Sequence, residues 1–499
     1  MRKIKKIYLQ IFSIILLLTF FWIFLVESYI IGQQHLISVG LMVFFAFLIF
    51  VFGKKCYNRI TEQKVVIIYW ILWGISCLLM LYIAWSLRMS IYHTWDYGRL
   101  LQDAIQLAQT DEFKSYIYYS QYPNNLFMLF LLKMLFKTVL IVFPDISIGG
   151  LQACSIIVSC ILVQISIVLV YMTAKEVWGK KKAAVTGIFL LLASPLYLYA
   201  TFAYTDTFSL PLVVGQIYFY VKFQKEETKK KWYYLVGMAI LGAMGFKLKM
   251  TIVFVLIASI INLFIRQELK QFLKYVGIIF VVSGITCIII NKTLSFQFNI
   301  TPELSNRYQF PYAHWVMMTL NDSGGYSQED VDYTCSFETY DEKNKADIKE
   351  IKHRLKQRGI VGTLQHIFVK KIIRTWGNAS MAGDTYISSV AGKMLTKTKL
   401  HSLFCLDGKY HDIYMIYSQV YHLIMLFWIF YCAIINVWKR KMENGMENVL
   451  MTTVWGLAVF LSIWECNSRY LFQMLPIMVL LMMSGMYKSQ WIYNKKFEI

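Results

Sequence analysis

The sequence predicts an all-α polytopic membrane protein: a bundle of about twelve spans with interfacial helices and one long loop on its outer face. Three observations predict it. Of 499 residues, 58% are hydrophobic and only 16% charged, and the mean hydropathy is +0.50. A soluble domain of ordinary composition is nearer half apolar and a quarter charged. The apolar residues fall into runs of roughly 17–25, the length of a helix that crosses a bilayer. The net charge of +21 is gathered in short basic clusters between those runs, which is the positive-inside pattern. That distribution points to membrane lipids as partners and away from nucleic acid.

The N-terminus reads MRKIKK followed by IYLQIFSIILLLTFFWIFLVES. The run is too long for a signal-peptide core and no A-x-A site follows it, so it reads as a retained first span. Spans are expected near 7–27, 36–52, 65–87, 149–173, 183–203, 207–222, 232–246, 251–265, 275–291, 413–437, 447–465 and 470–487. Basic clusters set their direction. These are Arg2, Lys3, Lys5 and Lys6; Lys54, Lys55, Arg59 and Lys64; Lys175 and Lys180 to Lys182; Lys222, Lys225 and Lys229 to Lys231; and Lys439, Arg440 and Lys441. If the spans alternate, all clusters face one side and both termini are cytoplasmic. The organisation expected is an N-terminal transmembrane hairpin (1–64), a transmembrane core (65–291) whose first outer loop is 88–148, a long extracytoplasmic loop region (292–412) and C-terminal transmembrane segments (413–499).

Three stretches suit helices lying flat at the outer leaflet. Segment 121–143 is apolar but holds Lys133 and Lys137, and counting it as a span would put Lys180–Lys182 on the wrong side. RLLQDAIQLAQ sets Leu101, Ala104, Ile105 and Ala108 on one face, and HIFVKKIIRTW opposes Ile367, Phe368, Ile372 and Ile373 to Lys370, Lys371 and Arg374. KADIKEIKHRLKQRG reads as an amphipathic helix with Ile348, Ile351 and Leu355 on one side. Nine cysteines are scattered with no C-x-x-C pair, which gives no metal or disulfide framework. A bridge among Cys335, Cys405 and Cys466, all expected outside, stays open.

Chemistry centres on outer-face ionisable groups. Asp96 stands in YHTWDYGRL at a helix exit, and Asp206 in YTDTF where one span ends and the next begins. A half-buried carboxylate needs a job or a partner. The alternatives are that each caps a helix or pairs with Arg88, Arg99 or a nearby lysine. Lys247 and Lys249 interrupt GAMGFKLKMTIVF, and Arg469 occupies the turn ECNSRYLF. Cations there suit a lipid phosphate, with snorkelling to headgroups as the alternative, the better reading for Arg374. In the long loop, His314, Trp315 and Tyr326 offer stacking and hydrogen-bonding groups suited to sugars. No second histidine stands at metal-ligand spacing from His314. No Walker loop, dinucleotide fingerprint or kinase set occurs, so a group-transfer enzyme here needs a donor already in the membrane.

The order and sidedness of these features resemble the GT-C membrane glycosyltransferases, the superfamily of protein O-mannosyltransferases and aminoarabinose transferases. Asp96, the interfacial stretches RLLQDAIQLAQ and QYPNNLFMLFLLKMLF, YTDTF with Asp206, the Lys249 stretch and NSRYLFQMLP carry the likeness, over about 85–290 and more loosely the last two spans. Tyr97 follows Asp96 where many relatives have an acidic pair, and an additional pair of spans precedes the loop. The loop PYAHWVMM…GGYS is similar to those of Gram-positive cell-envelope members. The resemblance implies a GT-C-like bundle and transfer of a sugar from a polyprenyl-phosphate-linked donor to a cell-envelope glycan, lipid or protein acceptor. It implies Asp96 as general base, and Lys249 and Arg469, with Lys247 beside them, at the donor phosphate. Asp206 would position a substrate or share a divalent ion, magnesium or manganese, with Asp96. Tyr122, Asn124, His314 and Tyr326 would meet the acceptor. Two other classes stay open: a ligase or polymerase of whole glycan chains such as teichoic acid, and a flippase or transporter of lipid-linked sugars. The latter would want charges at the bilayer midplane, and few of the spans have one.

Overall fold

A computed structural model describes residues 2–92, 95–388, 398–438 and 445–489. Among them the regular structure is entirely helical. The N-terminal part comprises α1 (Arg2–Gln34), α2 (Leu36–Arg59), α3 (Glu62–Ser86), α4 (Asp96–Thr110), α5 (Tyr116–Gln121) and α6 (Leu126–Val142). There follow α7 (Ile148–Trp178), α8 (Lys180–Leu191), α9 (Pro195–Tyr199), α10 (Thr205–Lys225), α11 (Lys231–Leu248), α12 (Val253–Arg266) and α13 (Leu269–Phe298).

Each of the twelve apolar runs forms helix, yet among the described residues eight helices are long and apolar enough to cross a membrane, and one of those eight contains α6. The difference has a physical cause. The run 183–203 is broken between α8 and α9, where Pro195 takes the first helical position, the place a helix tolerates it. Helix α10 holds Pro211 and buries Thr205, Asp206, Thr207, Ser209 and Gln216. A helix surrounded by protein need not be apolar towards lipid.

Two ends of the bundle are chemically distinct. At one, Lys181 donates to the Tyr57 carbonyl at 2.6 Å and Lys222 pairs with Glu176 at 3.3 Å. The lysines of 175–182 and 222–231 therefore share an end with the α2–α3 turn, as alternating spans require. Lys439, Arg440 and Lys441 lie outside the described residues. The opposite end carries Asp96. Helix α6 begins and finishes there. Its N-terminal side follows Asn125, which donates to Tyr118 at 2.9 Å. Its C-terminal side leads directly into α7, whose Gln152 donates to the Met89 carbonyl just beyond α3 at 2.7 Å. The helix is apolar enough to span, but Lys133 and Lys137 close on Asp111 at 3.0 and 2.8 Å, and both its ends stay in one layer.

The region after α13 opens at Asn299, whose left-handed backbone (φ 42°) ends the helix. It holds α14 (Pro302–Tyr308), α15 (Tyr312–Thr319), α16 (Gln328–Cys335) and α17 (Tyr340–Gln365), then a π-helical turn His366–Lys370, α18 (Lys371–Trp376), α19 (Gly383–Ser388) and α20 (His401–Phe404). Phe310, Met318 and Val331 make a small core against Tyr122 and Trp315. Helix α17 starts on a capping box in which Thr339 and Glu342 satisfy each other's backbone amides. Cys466 is buried with its thiol on the Gly324 carbonyl, whereas Cys335 is exposed and accepts from Gln121; each is a free thiol.

Inside this region His314 Nδ1 donates to Thr334, whose hydroxyl donates to Asp347, at 2.7 and 2.8 Å. Burial lowers His314 from 6.5 to about 4 and raises Asp347 from 3.8 to about 6. The two slopes oppose each other. As pH falls from 6.5 to 4 the unfolded chain protonates its histidine first, so that contribution is lost. The folded aspartic acid holds a proton that the unfolded chain has released, so its contribution is present at low pH and lost as pH rises through about 6. Asp347→Asn is therefore expected to make α15–α17 lose protection as pH falls through this window, and His314→Gln to make them gain it. Hydrogen exchange corrected for intrinsic rates reads this; flat responses in both variants would contradict it.

The chain returns to the bundle through α21 (His411–Trp438), α22 (Gly445–Ile463), α23 (Arg469–Phe472) and α24 (Leu475–Lys488). Thirteen of the 14 residues of α24 are buried, which makes it a central helix. It packs on α21 with no room for a side chain at Gly485, where a Cβ would lie 2.1 Å from the Trp428 carbonyl oxygen.

Candidate active site

Asp96 is the first residue of α4, where the exposed N–H groups and helix dipole favour an acid. Trp95, not Asp96, is the N-cap. The hydroxyl of Tyr204 donates to Asp96 Oδ2 at 3.3 Å. Neither nearby arginine pairs with it. Arg88 lies over the Trp85 ring at 3.9 Å and donates to the Trp85 carbonyl. Arg99 is held by Asp103 at 3.1 Å and by Ser115. Among the described residues Asp96 thus has a hydroxyl partner and no cation. His93 and Thr94 of the same motif lie outside the described residues.

Asp206 is in the opposite condition. It is 1% exposed, in the first turn of α10, and forms an ion pair with Lys249. Arg469 Nε stands 3.6 Å from its other oxygen. Lys249 reaches it because α11 stops there: its backbone is extended (φ −156°, ψ 112°) before a short 3-10 turn over Met250–Ile252. A hydrogen bond from Gln473 to Thr251 ties that turn to the start of α24. The carboxylate of Asp206 therefore neutralises one of two adjacent cations, and the trio keeps one net positive charge.

Arg469 is ringed by aromatics. Its guanidinium carbon lies 5.4 Å from the ring centres of Trp95 and Tyr204, 4.8 Å from Tyr386 and 5.9 Å from Tyr470. Cation–π attraction of this kind holds an arginine without using its N–H donors. The terminal nitrogens of Arg469 have no hydrogen-bond partner among the described residues, so they are donors awaiting an acceptor. The turn that presents Arg469 is fixed from several sides. Glu465, buried, accepts from Tyr470 at 2.6 Å. Asn467 donates to Tyr386 at 3.1 Å, Cys466 N to Gly324 O at 3.0 Å, and Ser468 to the Arg374 carbonyl at 2.7 Å. Arg374 itself donates to the Cys466 carbonyl at 3.2 Å, so it braces the turn.

Besides Tyr204, further phenols feel the charge of Asp96. Burial first, and then the charge of Asp96, pushes Tyr118 and Tyr326 up from the usual tyrosine value, and burial, then Tyr326, then Asp96 does the same for Tyr122. They are neutral hydroxyls facing a carboxylate, one from α5, one from the turn before α6 and one from the long loop.

A family model described as conserved hypothetical integral membrane protein matches residues 1–490. The chain belongs to that family. No curated protein matches it. Among solved structures, the archaeal oligosaccharyltransferase AglB of Archaeoglobus fulgidus, in complex with an inhibitory peptide and a dolichol-phosphate, aligns at 12% identity and a TM-score of 0.43. The alignment covers 86% of this chain and 50% of that one. ArnT of Cupriavidus metallidurans bound to undecaprenyl phosphate aligns at 11% identity and a TM-score of 0.37, over 83% of this chain and 77% of that one. This chain thus spans about half the length of the archaeal enzyme it matches.

Of the residues singled out in the sequence, the structure brings together Asp206, Lys249 and Arg469, joins Asp96 to them through Tyr204, and places Tyr122 and Tyr326 within reach of the Asp96 charge. It does not bring in the others. Lys247 sits half-buried by Phe246. Asn124 is exposed and donates to Asn125. His314 is enclosed in the core of the loop region, stacked on Phe310 at 4.3 Å. A divalent ion shared by Asp96 and Asp206 does not fit this donor set, because both oxygens of Asp206 face cations. Among the described residues no three histidine, cysteine or carboxylate side chains gather as a metal would need.

Tyr118, Tyr204, Tyr386, Tyr470 and Glu465 were not singled out in the sequence. Tyr470 adjoins Arg469 and Tyr204 stands two residues before Asp206, and this is a usable signal. Nothing local marks Tyr118 or Tyr386.

Proposed function

We propose that this chain is a glycosyltransferase that moves a sugar from a polyprenyl-phosphate-linked donor to a cell-envelope acceptor, with its site on the extracytoplasmic face and both termini cytoplasmic. The observation that carries the reading is the division of labour between two carboxylates. Among the described residues Asp96 has no cation partner, and it faces hydroxyl groups, as a general base requires. Asp206 is buried on two cations and leaves them one net positive charge. Arg469, with unused donors in an aromatic cage, is built to receive an anion.

In the proposed reaction the acceptor hydroxyl oxygen attacks the anomeric carbon of the donor sugar and Asp96 takes its proton. The bond between the anomeric carbon and the phosphate oxygen breaks, and the electron pair leaves with the polyprenyl phosphate. Arg469 and Lys249 stabilise the charge that develops on that oxygen. Asp206 holds both cations in place. A single displacement inverts the anomeric centre. The basic clusters at the other end of the bundle support the sidedness.

The test compares lipid-linked sugars in cells with and without the protein. Precursor accumulating on the extracytoplasmic face is expected; accumulation on the cytoplasmic face would replace the transferase with a flippase.

A further inference from the structure

Helix α17 changes character at Gly359. Before it, the open positions are mostly polar and basic, with Lys352, His353, Lys356 and Gln357 open to solvent, and Ile348 and Leu355 are only 39% and 40% exposed. At Gly359 the backbone turns left-handed (φ 67°), a conformation that favours glycine, and the chain takes a new direction. After it, Ile360, Val361, Leu364 and Phe368 are 82%, 80%, 49% and 51% exposed. Ile360, Val361 and Leu364 share one helical face by their spacing. Lys370, also exposed, closes the segment. An apolar face this open, flanked by lysines, has no partner among the described residues.

Its position says what covers it. The indole of Trp22 donates to the Phe368 carbonyl at 2.7 Å. Trp22 lies inside span α1, 15 residues beyond Ile7, where the apolar run begins, which is about 22 Å along the helix and past the middle of a hydrocarbon core roughly 30 Å thick. Phe368 therefore sits at the depth of the leaflet on the end of the bundle that carries Asp96. The segment is continuous there with a lipid-facing span.

We propose that residues 359–370 form a monotopic anchor that inserts Ile360, Val361, Leu364 and Phe368 into the leaflet at the site end, while Lys352, Lys356 and Lys370 meet anionic lipid headgroups. The anchor does not depend on the transfer reaction. It is rigidly joined to the site all the same. Lys371 bonds to Thr319 and to the Trp464 carbonyl, and Arg374 and Ser468 lock α18 to the turn bearing Arg469. The bilayer thus becomes one wall of the frame that aims Arg469.

The test places the photoreactive residue p-benzoylphenylalanine at position 361, and separately at 352, in the full chain in nanodiscs of phosphatidylcholine with phosphatidylglycerol. Both positions are exposed, so packing is undisturbed. Lipid adducts are expected at 361 at about tenfold the yield at 352, falling severalfold when phosphatidylglycerol is omitted. Equal yields at the two positions, or adducts at 361 to protein in place of lipid, would overturn the anchor. A yield indifferent to phosphatidylglycerol would overturn its headgroup preference.

Discussion

Asp96→Asn is expected to reduce the proposed sugar transfer by at least about 100-fold, with the protein reaching the membrane in normal amount. The two halves of this result come from one geometry. Asparagine keeps the shape of the side chain and an acceptor oxygen for Tyr204, and no ion pair is lost because Asp96 has none among the described residues. Folding should therefore be nearly indifferent. The chemistry should not be, since an amide cannot take the acceptor's proton. Tyr204→Phe removes only a long hydrogen bond, at 3.3 Å, and should lower transfer by a smaller factor. Transfer from a lipid-phosphate-linked sugar in proteoliposomes, normalised to the protein incorporated, reads both. Undiminished transfer by Asp96→Asn would remove the base.

The second large effect is on stability. Lys249→Met leaves Asp206 buried with only the more distant Arg469 to balance it. Breaking a buried pair from one side is typically worth about 3–5 kcal/mol, because a charge is left without compensation. Asp206→Asn leaves two cations beside each other and should also destabilise. The double variant Asp206→Asn/Lys249→Met removes one charge of each sign, and is expected to recover most of the loss. Thermal unfolding of the purified chain in one detergent measures all four proteins. Losses that simply add would show that the two residues do not act as a pair. Transfer should stay impaired in the double variant even where stability returns, since the phosphate site would have lost Lys249.

The membrane architecture was legible because lipid imposes a simple rule on exposed helices. Runs such as 36–52 and 275–291 stand out for their apolar length, and α2 and α13 follow them. The rule fails inside the bundle. Helix α10 is surrounded by protein, and Thr207, Ser209 and Gln216 turn their donors onto carbonyls of the helix or of the turn before it. The run 183–203 breaks at Pro195 between α8 and α9. The extent of α13 to Phe298, beyond the expected end of its span, reflects a helix continuing past the membrane, which hydropathy does not register.

The site was legible where charge is rare. Asp206, Lys249 and Arg469 are each conspicuous in an apolar setting, and the alternation of spans assigns them to one end. Their aromatic surroundings were not legible. Tyr118 and Tyr386 are two among 34 tyrosines, and only the packing of α5 and α19 against the bundle distinguishes them. His314 shows the converse. Its type and loop setting suggest a sugar contact, but Phe310 and Thr334 enclose it, and no local spacing announces that.

The most direct test of the account is the affinity of the purified protein for undecaprenyl phosphate in nanodiscs, compared between wild type, Asp96→Asn and Arg469→Gln. The account predicts that wild type and Asp96→Asn bind alike, since Asp96 acts on the acceptor. Arg469→Gln should bind at least about tenfold more weakly, the loss of a charge-assisted contact of roughly 1.5–3 kcal/mol. Binding that is indifferent to Arg469, or lost in Asp96→Asn, would contradict it.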